Sequence, residues 1–318
     1  MMQEKIFSTK PTLKNKLYKE KRGHFPSWLH KAMPPIHREK IVAHSIKNHF
    51  LHTVCKEAKC PNQSECFSKK TAAFLLLGNI CTRSCGFCEI MHSPHPPPPH
   101  KEEPQNIAAT IQALQLTHAV LTMVTRDDLL DGGASHIAST IRSIRALNSP
   151  VTIEILASDF NGNHQSLHTL LAEEPEIFNH NIETVQRLSP IIRHKALYQR
   201  SLSILKQAKQ SHKVTFVKSG IMLGFGEEPQ EVLATLRHLA FAGVDIITIG
   251  QYLRPSRKKI AVKEFIHPSI FQAYKEHAYS LGVKYVYADP FVRSSYNAEK
   301  ILHTLQQKNA LSLHSPFT

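Results

Sequence analysis

The stretch AAFLLLGNICTRSCGFC (72–88) joins the two signals that decide the fold. Its first half is an apolar run of strand length without polar alternation, as expected of a strand covered on both faces of a parallel sheet. Its second half sets Cys81, Cys85 and Cys88 on the loop directly after that strand. In (β/α) barrels and open α/β sheets alike, that is the end at which sites are built.

Working outward, similar runs recur at HAVLTMV (118–124), VTIEILA (151–157), EIFNHNI (176–182), VTFVKSGIMLG (214–224) and VDIITIG (244–250). Helical patterns lie between several of them, at 134–147, 196–209 and 229–243, the last stopped by Gly243. A further helical stretch, 268–282, leads into VKYVYA. Six strand–helix units predict a βα-repeat, either a doubly wound sheet or a (β/α) barrel, complete or partial. No G-x-G-x-x-G follows a strand, so nothing marks a dinucleotide site. Residues 1–50 are polar and basic, with Pro34-Pro35 interrupting any long helix, and HSPHPPPPH (92–100) reads as a Pro-rich linker.

All six cysteines fall between positions 55 and 88. A secreted disulfide scaffold is short and spreads its cysteines, so two clustered triads point to metal or redox chemistry. Thiolate is the soft ligand that iron–sulfur clusters select. Three thiolates leave one iron of a four-iron cluster open, much as catalytic zinc sites keep one position open. Tetrahedral zinc would need a fourth Cys or His and usually C-x2-C pairs. The upstream triad, Cys55, Cys60 and Cys66 in TVCKEAKCPNQSEC (53–66), has spacings unusual for zinc, with a turn at Pro61-Asn62.

The pattern Cys-x3-Cys-x-aromatic-Cys resembles the radical S-adenosylmethionine (SAM) enzymes. Together with TVC..A.CPN..EC it resembles the lipoyl synthase family. The likeness covers almost the whole chain, through PSWL (26–29), RDDLLDGGA (126–134), DFNG (159–162), FNHNIETVQRL (178–188), YQRSL (198–202), KSGIMLGFGE (218–227), TIGQYLRPS (248–256) and FVRSSYNA (291–298). Four departures stand out: Thr125 in VTRDDL for the family's Asp, Phe67 for Trp, Ser158 for Pro before DF, and ADPFVRSS for GPLVRSS.

This resemblance implies an α/β fold, a partial (β/α)6 TIM-type barrel of the radical SAM class over 71–290. An N-terminal extension, 1–70, would carry the auxiliary cysteines, and a C-terminal segment, 291–318, would close its RSSY motif on them. Two 4Fe–4S clusters and SAM are implied as cofactors. Cys81, Cys85 and Cys88 would hold the cluster whose open iron chelates SAM. Cys55, Cys60, Cys66 and Ser295 would hold the auxiliary cluster, with Ser294 as the alternative serine. Alkoxide is a harder ligand than thiolate and suits a cluster that must surrender sulfur.

The implied reaction is the final step of lipoyl cofactor biosynthesis. It inserts two sulfur atoms at C6 and C8 of an octanoyl chain on a carrier-domain lysine, using two SAM. Unactivated C–H bonds are beyond acid–base chemistry, so a cofactor radical must act and no catalytic side chain beyond the cluster ligands is expected. Phe87, Thr122, Glu154, Asn179, Asn181 and Arg200 are the expected SAM contacts, Arg200 for its carboxylate, and Arg293 is expected to hold the auxiliary loop. The implied partners are octanoylated lipoyl domains of 2-oxoacid dehydrogenase E2 subunits and the glycine cleavage H protein, an electron donor such as ferredoxin or flavodoxin, and an iron–sulfur carrier for cluster repair.

Composition agrees with this class. Hydrophobic residues make up 42% and charged residues 20%, as in globular proteins with a buried core. No run reaches the ~18 apolar residues of a membrane span, and the start lacks a signal-peptide core, so a cytoplasmic location and no membrane partner are expected. The net charge of +14 is dispersed, densest in the first forty residues and at RPSRKK (254–259). Dispersed charge argues against nucleic acid and suits faster encounter with an acidic carrier domain. Other sulfur-inserting radical SAM enzymes lack CPNQSEC and RSSY, and electron carriers give each cluster four cysteines.

Overall fold

The computed structural model describes residues 25–30, 39–68, 72–147 and 149–295. Pro34-Pro35 and the Tyr296–Ala298 end of the FVRSSYNA motif lie outside the described residues. The core is one sheet of eight strands: β1 (His52–Thr53), β2 (Ala73–Leu76), β5 (His118–Met123), β6 (Thr152–Leu156), β7 (Ile177–Asn179), β8 (Phe216–Leu223), β9 (Ile246–Gln251) and β10 (Tyr285–Ala288). A short parallel pair, β3 (Ile80–Cys81) and β4 (Met91–His92), stands apart from it.

Each of the six apolar runs forms a strand, and VKYVYA adds a seventh parallel one, β10 against β9. Helices Ala134–Arg145, Tyr198–Gln210, Pro229–Phe241 and Pro268–Ser280 match the helical patterns, while Glu103–Leu114 and His164–Leu171 are crossover helices that periodicity missed, as it did Glu39–Asn48 before the sheet. Val, Ile and Leu fill both strand faces because helices pack outside and a second layer of side chains packs inside.

Strand order separates the two architectures that the βα-repeat left open. Across β2-β5-β6-β7-β8-β9-β10 each strand pairs with its predecessor in parallel, and only β1 is antiparallel. A doubly wound sheet reverses order at a switch point; this one never does. It is wound in one direction like a barrel and left open, since β1 and β10 do not pair.

Inside the curve the side chains stack in layers, because every second residue of a strand faces inward. Ile177, Phe216 and Ile246 form the lowest layer. Two residues further along the strands come Asn179 and Lys218, joined by Glu154 of β6. Above these, Asn181, Gly220 and Thr248 reach the cavity at the strands' C-terminal ends.

Candidate active site

The cavity over the strand ends has a volume of about 340 Å³. The cysteine loop forms one wall, with Cys81, Cys85, Phe87 and Cys88. Cys55 and Cys60 line it from the N-terminal side, and Arg293, Ser294 and Ser295 from the C-terminal segment. Both triads and the serine segment thus border one space, although Cys66 is not among the lining residues. None of the six cysteines is in a disulfide.

Specific bonds place each part. Arg83, between the first two cysteines of its loop, pairs bidentately with Asp127 at 2.8 and 2.7 Å and with Asp159 at 2.7 Å. These carboxylates follow β5 and β6, so the cysteine loop is pinned to two neighbouring strand ends. The auxiliary side is joined across the chain by Asn62, of the CPN turn, whose Nδ2 donates to the Phe291 carbonyl at 2.7 Å. Glycine admits the C-terminal segment: a Cβ on Gly250 would stand 2.1 Å from the Val292 carbonyl oxygen, and one on Gly220 2.9 Å from Ser294 Oγ. Ser294 Oγ donates to Asn181 Oδ1 at 2.6 Å, and Asn181 Nδ2 donates to Glu183 at 3.0 Å. Arg293 turns back on its own segment, bonding the Val292 carbonyl at 2.6 Å, rather than holding the auxiliary loop by hydrogen bonds as expected.

The thiols sit in an environment that disfavours them as free groups. Burial pushes Cys88 up to about 12, with the neighbouring Cys85 and Cys81 adding to it, and Cys55 up to about 11. Cys85 is also raised, chiefly by burial. Ligation by iron would reverse this, since coordination takes cysteine as thiolate. Among the described residues no three His, Cys, Asp or Glu side chains are arranged to hold a single metal ion. A four-iron cluster takes each thiolate on a separate iron, and the soft donor set around this cavity fits that need.

The expected SAM contacts divide. Phe87, Thr122 and Asn181 line the cavity. Glu154, Asn179 and Arg200 do not, and each is engaged elsewhere. Glu154 is fully buried one layer below, accepting from Lys218 Nζ at 2.9 and 3.0 Å and from Asn179 Nδ2 at 2.8 Å. Both lie two residues short of cavity-lining positions, Leu156 and Asn181. Arg200 donates to Asp159 at 3.2 Å and Asn161 at 3.0 Å. Residues that sequence reasoning passed over line the cavity instead: Arg83, Asp159, His180, Glu183 and Arg193. For Asp159, His180 and Glu183 the signal was present in DFNG and FNHNIET, polar motifs at the ends of apolar strands, and for Arg83 in CTRSCGFC itself.

Comparisons with known proteins bear on this site. The pattern of the Radical SAM superfamily matches residues 75–239. Lipoyl synthase of Protochlamydia amoebophila (strain UWE25) is 52% identical over 291 residues, 91% of this chain and 90% of that protein. The chain belongs to the lipoyl synthase family. Lipoyl synthase of Chlamydia felis (strain Fe/C-56) is likewise 52% identical, over 90% of this chain and 91% of that one. Among solved structures, Streptococcus suis SuiB bound to S-adenosylmethionine shares the fold, with TM-score 0.52 at 10% identity over 71% of this chain and 54% of that chain.

Three of the four departures from the lipoyl synthase pattern are absorbed locally. Thr125 offers its carbonyl to the Thr82 amide and hydroxyl, at 2.9 and 3.0 Å. Ser158 Oγ accepts the Phe160 N–H at 3.2 Å, closing the turn where the family has Pro. Phe67 is buried.

The Arg83 brace has a measurable pH signature. Burial works to raise the Asp159 carboxyl, but Arg83 overrides it and brings it down to about 2. A carboxyl depressed below its unfolded value of about 3.9 contributes stability above that pH and loses it as pH falls towards 2. Arg83→Gln is therefore expected to cost about 2–3 kcal/mol at neutral pH. The gap between parent and variant should shrink as pH drops below about 4. Urea midpoints at pH 7 and pH 3 measure this; an equal gap at both would remove Asp159 as its source.

Proposed function

We propose that the chain inserts two sulfur atoms at C6 and C8 of an octanoyl chain carried on a lysine of a lipoyl domain, consuming two SAM. The observation that carries this reading is the meeting of Cys55, Cys60, Cys81, Cys85, Cys88 and the Ser294–Ser295 pair at one cavity. A substrate chain held there lies between both sets of thiols. In this reading Cys81, Cys85 and Cys88 hold the SAM-binding 4Fe–4S cluster. Cys55, Cys60, Cys66 and Ser295 hold the auxiliary one. When bound, the first group with SAM supplies one-electron C–H abstraction and the second supplies sulfur.

The chain's own residues supply position and dryness. The Arg83–Asp127–Asp159 brace fixes the cysteine loop, and orientation of this kind lowers a barrier by converting encounter into a unimolecular step. Leu75, Met123, Val124, Leu156, Ile221 and Met222 give the cavity apolar walls that suit an alkyl chain and keep water from a radical. In this reading 1–70 is the extension that carries the auxiliary cysteines, 71–290 the partial barrel and 291–318 the segment with the RSSY motif, and the bond from Asn62 to the Phe291 carbonyl supports their working together. Natural substrates would be the E2 and H-protein lipoyl domains, in the cytoplasm. No helix among the described residues is long and apolar enough to cross a membrane.

An anaerobic assay tests this directly. Reconstituted protein given an octanoyl-lysine peptide, SAM and reductant should yield a product in which two hydrogens are replaced by two sulfurs, seen by mass spectrometry. It should also carry about eight irons per chain. A plateau near four irons would remove the auxiliary site, and intact octanoyl peptide beside cleaved SAM would remove the sulfur insertion.

A further inference from the structure

The fold gathers part of the dispersed basic charge at one place that the chemistry above does not use. Loop 254–259 leaves the C-terminal end of β9, and Leu253 and Pro255 at its base line the cavity. Arg254 folds the loop, its Nε donating to the Lys259 carbonyl at 2.7 Å and its Nη2 to that of Arg257. The loop is also stitched to the cysteine loop. The Ile260 N–H donates to the Gly86 carbonyl at 3.0 Å. Ser256 Oγ donates to Glu89, the residue after Cys88, at 2.9 Å. Lys59, beside Cys60, reaches the other oxygen of Glu89 at 2.6 Å.

One carboxylate therefore stands among Lys59 and the basic loop, and it is already paired. Arg257 and Lys258 are exposed at the loop's tip and have no ion-pair partner among the described residues. The result is a small cationic rim, held by these bonds, beside residues that line the cavity. A nucleic-acid surface would need a longer stripe of Lys and Arg, whereas a rim of this size fits one acidic face of a small domain.

We propose that loop 254–259, with Lys59 beside it, is the docking surface for the carrier domain, receiving an acidic face of that domain next to its modified lysine. The inference rests on the sulfur-insertion reading for the identity of the carrier. Exposed charges of this kind act on encounter and register, and their effect fades as salt shortens the Debye length from about 10 Å at 0.1 M.

The test is binding, which needs no turnover. An octanoylated lipoyl domain of net negative charge is titrated with reconstituted protein by fluorescence anisotropy at low and high salt. Binding by the parent should weaken about tenfold or more as salt rises past roughly 0.3 M. Arg257→Glu/Lys258→Glu should weaken low-salt binding about tenfold and flatten the salt response. Conversion of a free octanoyl-lysine peptide should be unchanged, because neither side chain lines the cavity. Should charge reversal perturb folding, Arg257→Gln/Lys258→Gln should show a smaller weakening of the same sign. Variant binding equal to the parent's, salt-independent parent binding, or tighter capture of duplex RNA than of the carrier would each overturn the proposal. Loop-dependent carrier binding without conversion of peptide or carrier would instead sink the sulfur-insertion reading and leave the docking surface standing.

Discussion

Cys85→Ala abolishes SAM cleavage, whereas Cys60→Ala keeps cleavage and loses sulfur insertion: this is the largest functional effect expected of any single change in the chain. The expectation follows from how the two triads are held. The loop of Cys81, Cys85 and Cys88 is braced by Arg83 on Asp127 and Asp159, and by Gly86 N–H on the Ile192 carbonyl at 2.9 Å. None of these bonds involves the auxiliary side. Cys60 stands instead in the CPN turn, which Asn62 ties to the C-terminal segment. The two loops share one partly exposed ion pair, Lys59 with Glu89 at 2.6 Å, but neither brace runs through it, so losing one thiolate leaves the other triad's brace in place. In anaerobic reconstitution each variant should fall from about eight irons to about four. Chromatographic assay of 5′-deoxyadenosine should find none with Cys85→Ala and near-parental amounts with Cys60→Ala. Equal loss of cleavage in both would contradict the division of labour between the triads.

Much of this arrangement was legible in the sequence because it rests on local signals. Apolar runs without alternation located six parallel strands, and cysteine spacing marked two triads whose members, all but Cys66, border the cavity. What could not be read was the level each strand residue occupies inside the curve. Glu154 and Asn179 look like site residues because they are polar and close to strand ends. Yet Asn179 and Lys218 are both spent on the buried Glu154 carboxylate, and the cavity wall starts two residues further along those strands, at Asn181 and Gly220. Two residues of register decide between lining a site and supporting it, and register depends on pairing between distant segments. Arg200 was hidden for a different reason: its partner, Asp159, is distant in sequence, and an arginine's reach shows only when both carboxylate and guanidinium are placed. Winding direction was also hidden, since chain order of strands is the same for an open sheet and a barrel until pairing is known.

Lys218→Met is expected to destabilise the fold by about 3–5 kcal/mol, the range for removing one partner of a buried ion pair. Lys218 and Glu154 are both fully buried, and Asn179 adds its Nδ2 to the same carboxylate. His118 Nε2 lies 4.0 Å from the other oxygen. Losing the ammonium leaves Glu154 with one neutral donor in a region walled below by Ile177, Phe216 and Ile246. The double variant Lys218→Met/Glu154→Leu should recover most of the loss, because apolar groups of similar volume often replace a buried pair at little cost. Urea denaturation of parent, single and double variants measures both steps. A single-variant loss below about 1 kcal/mol is the behaviour of an exposed pair, and would mean that water reaches Glu154. The distinction matters for function, because this layer is the floor of the cavity. A floor built on a fully buried ion pair closes the interior to solvent from beneath, leaving the side beside loop 254–259 as the one from which water must be excluded while a radical is present.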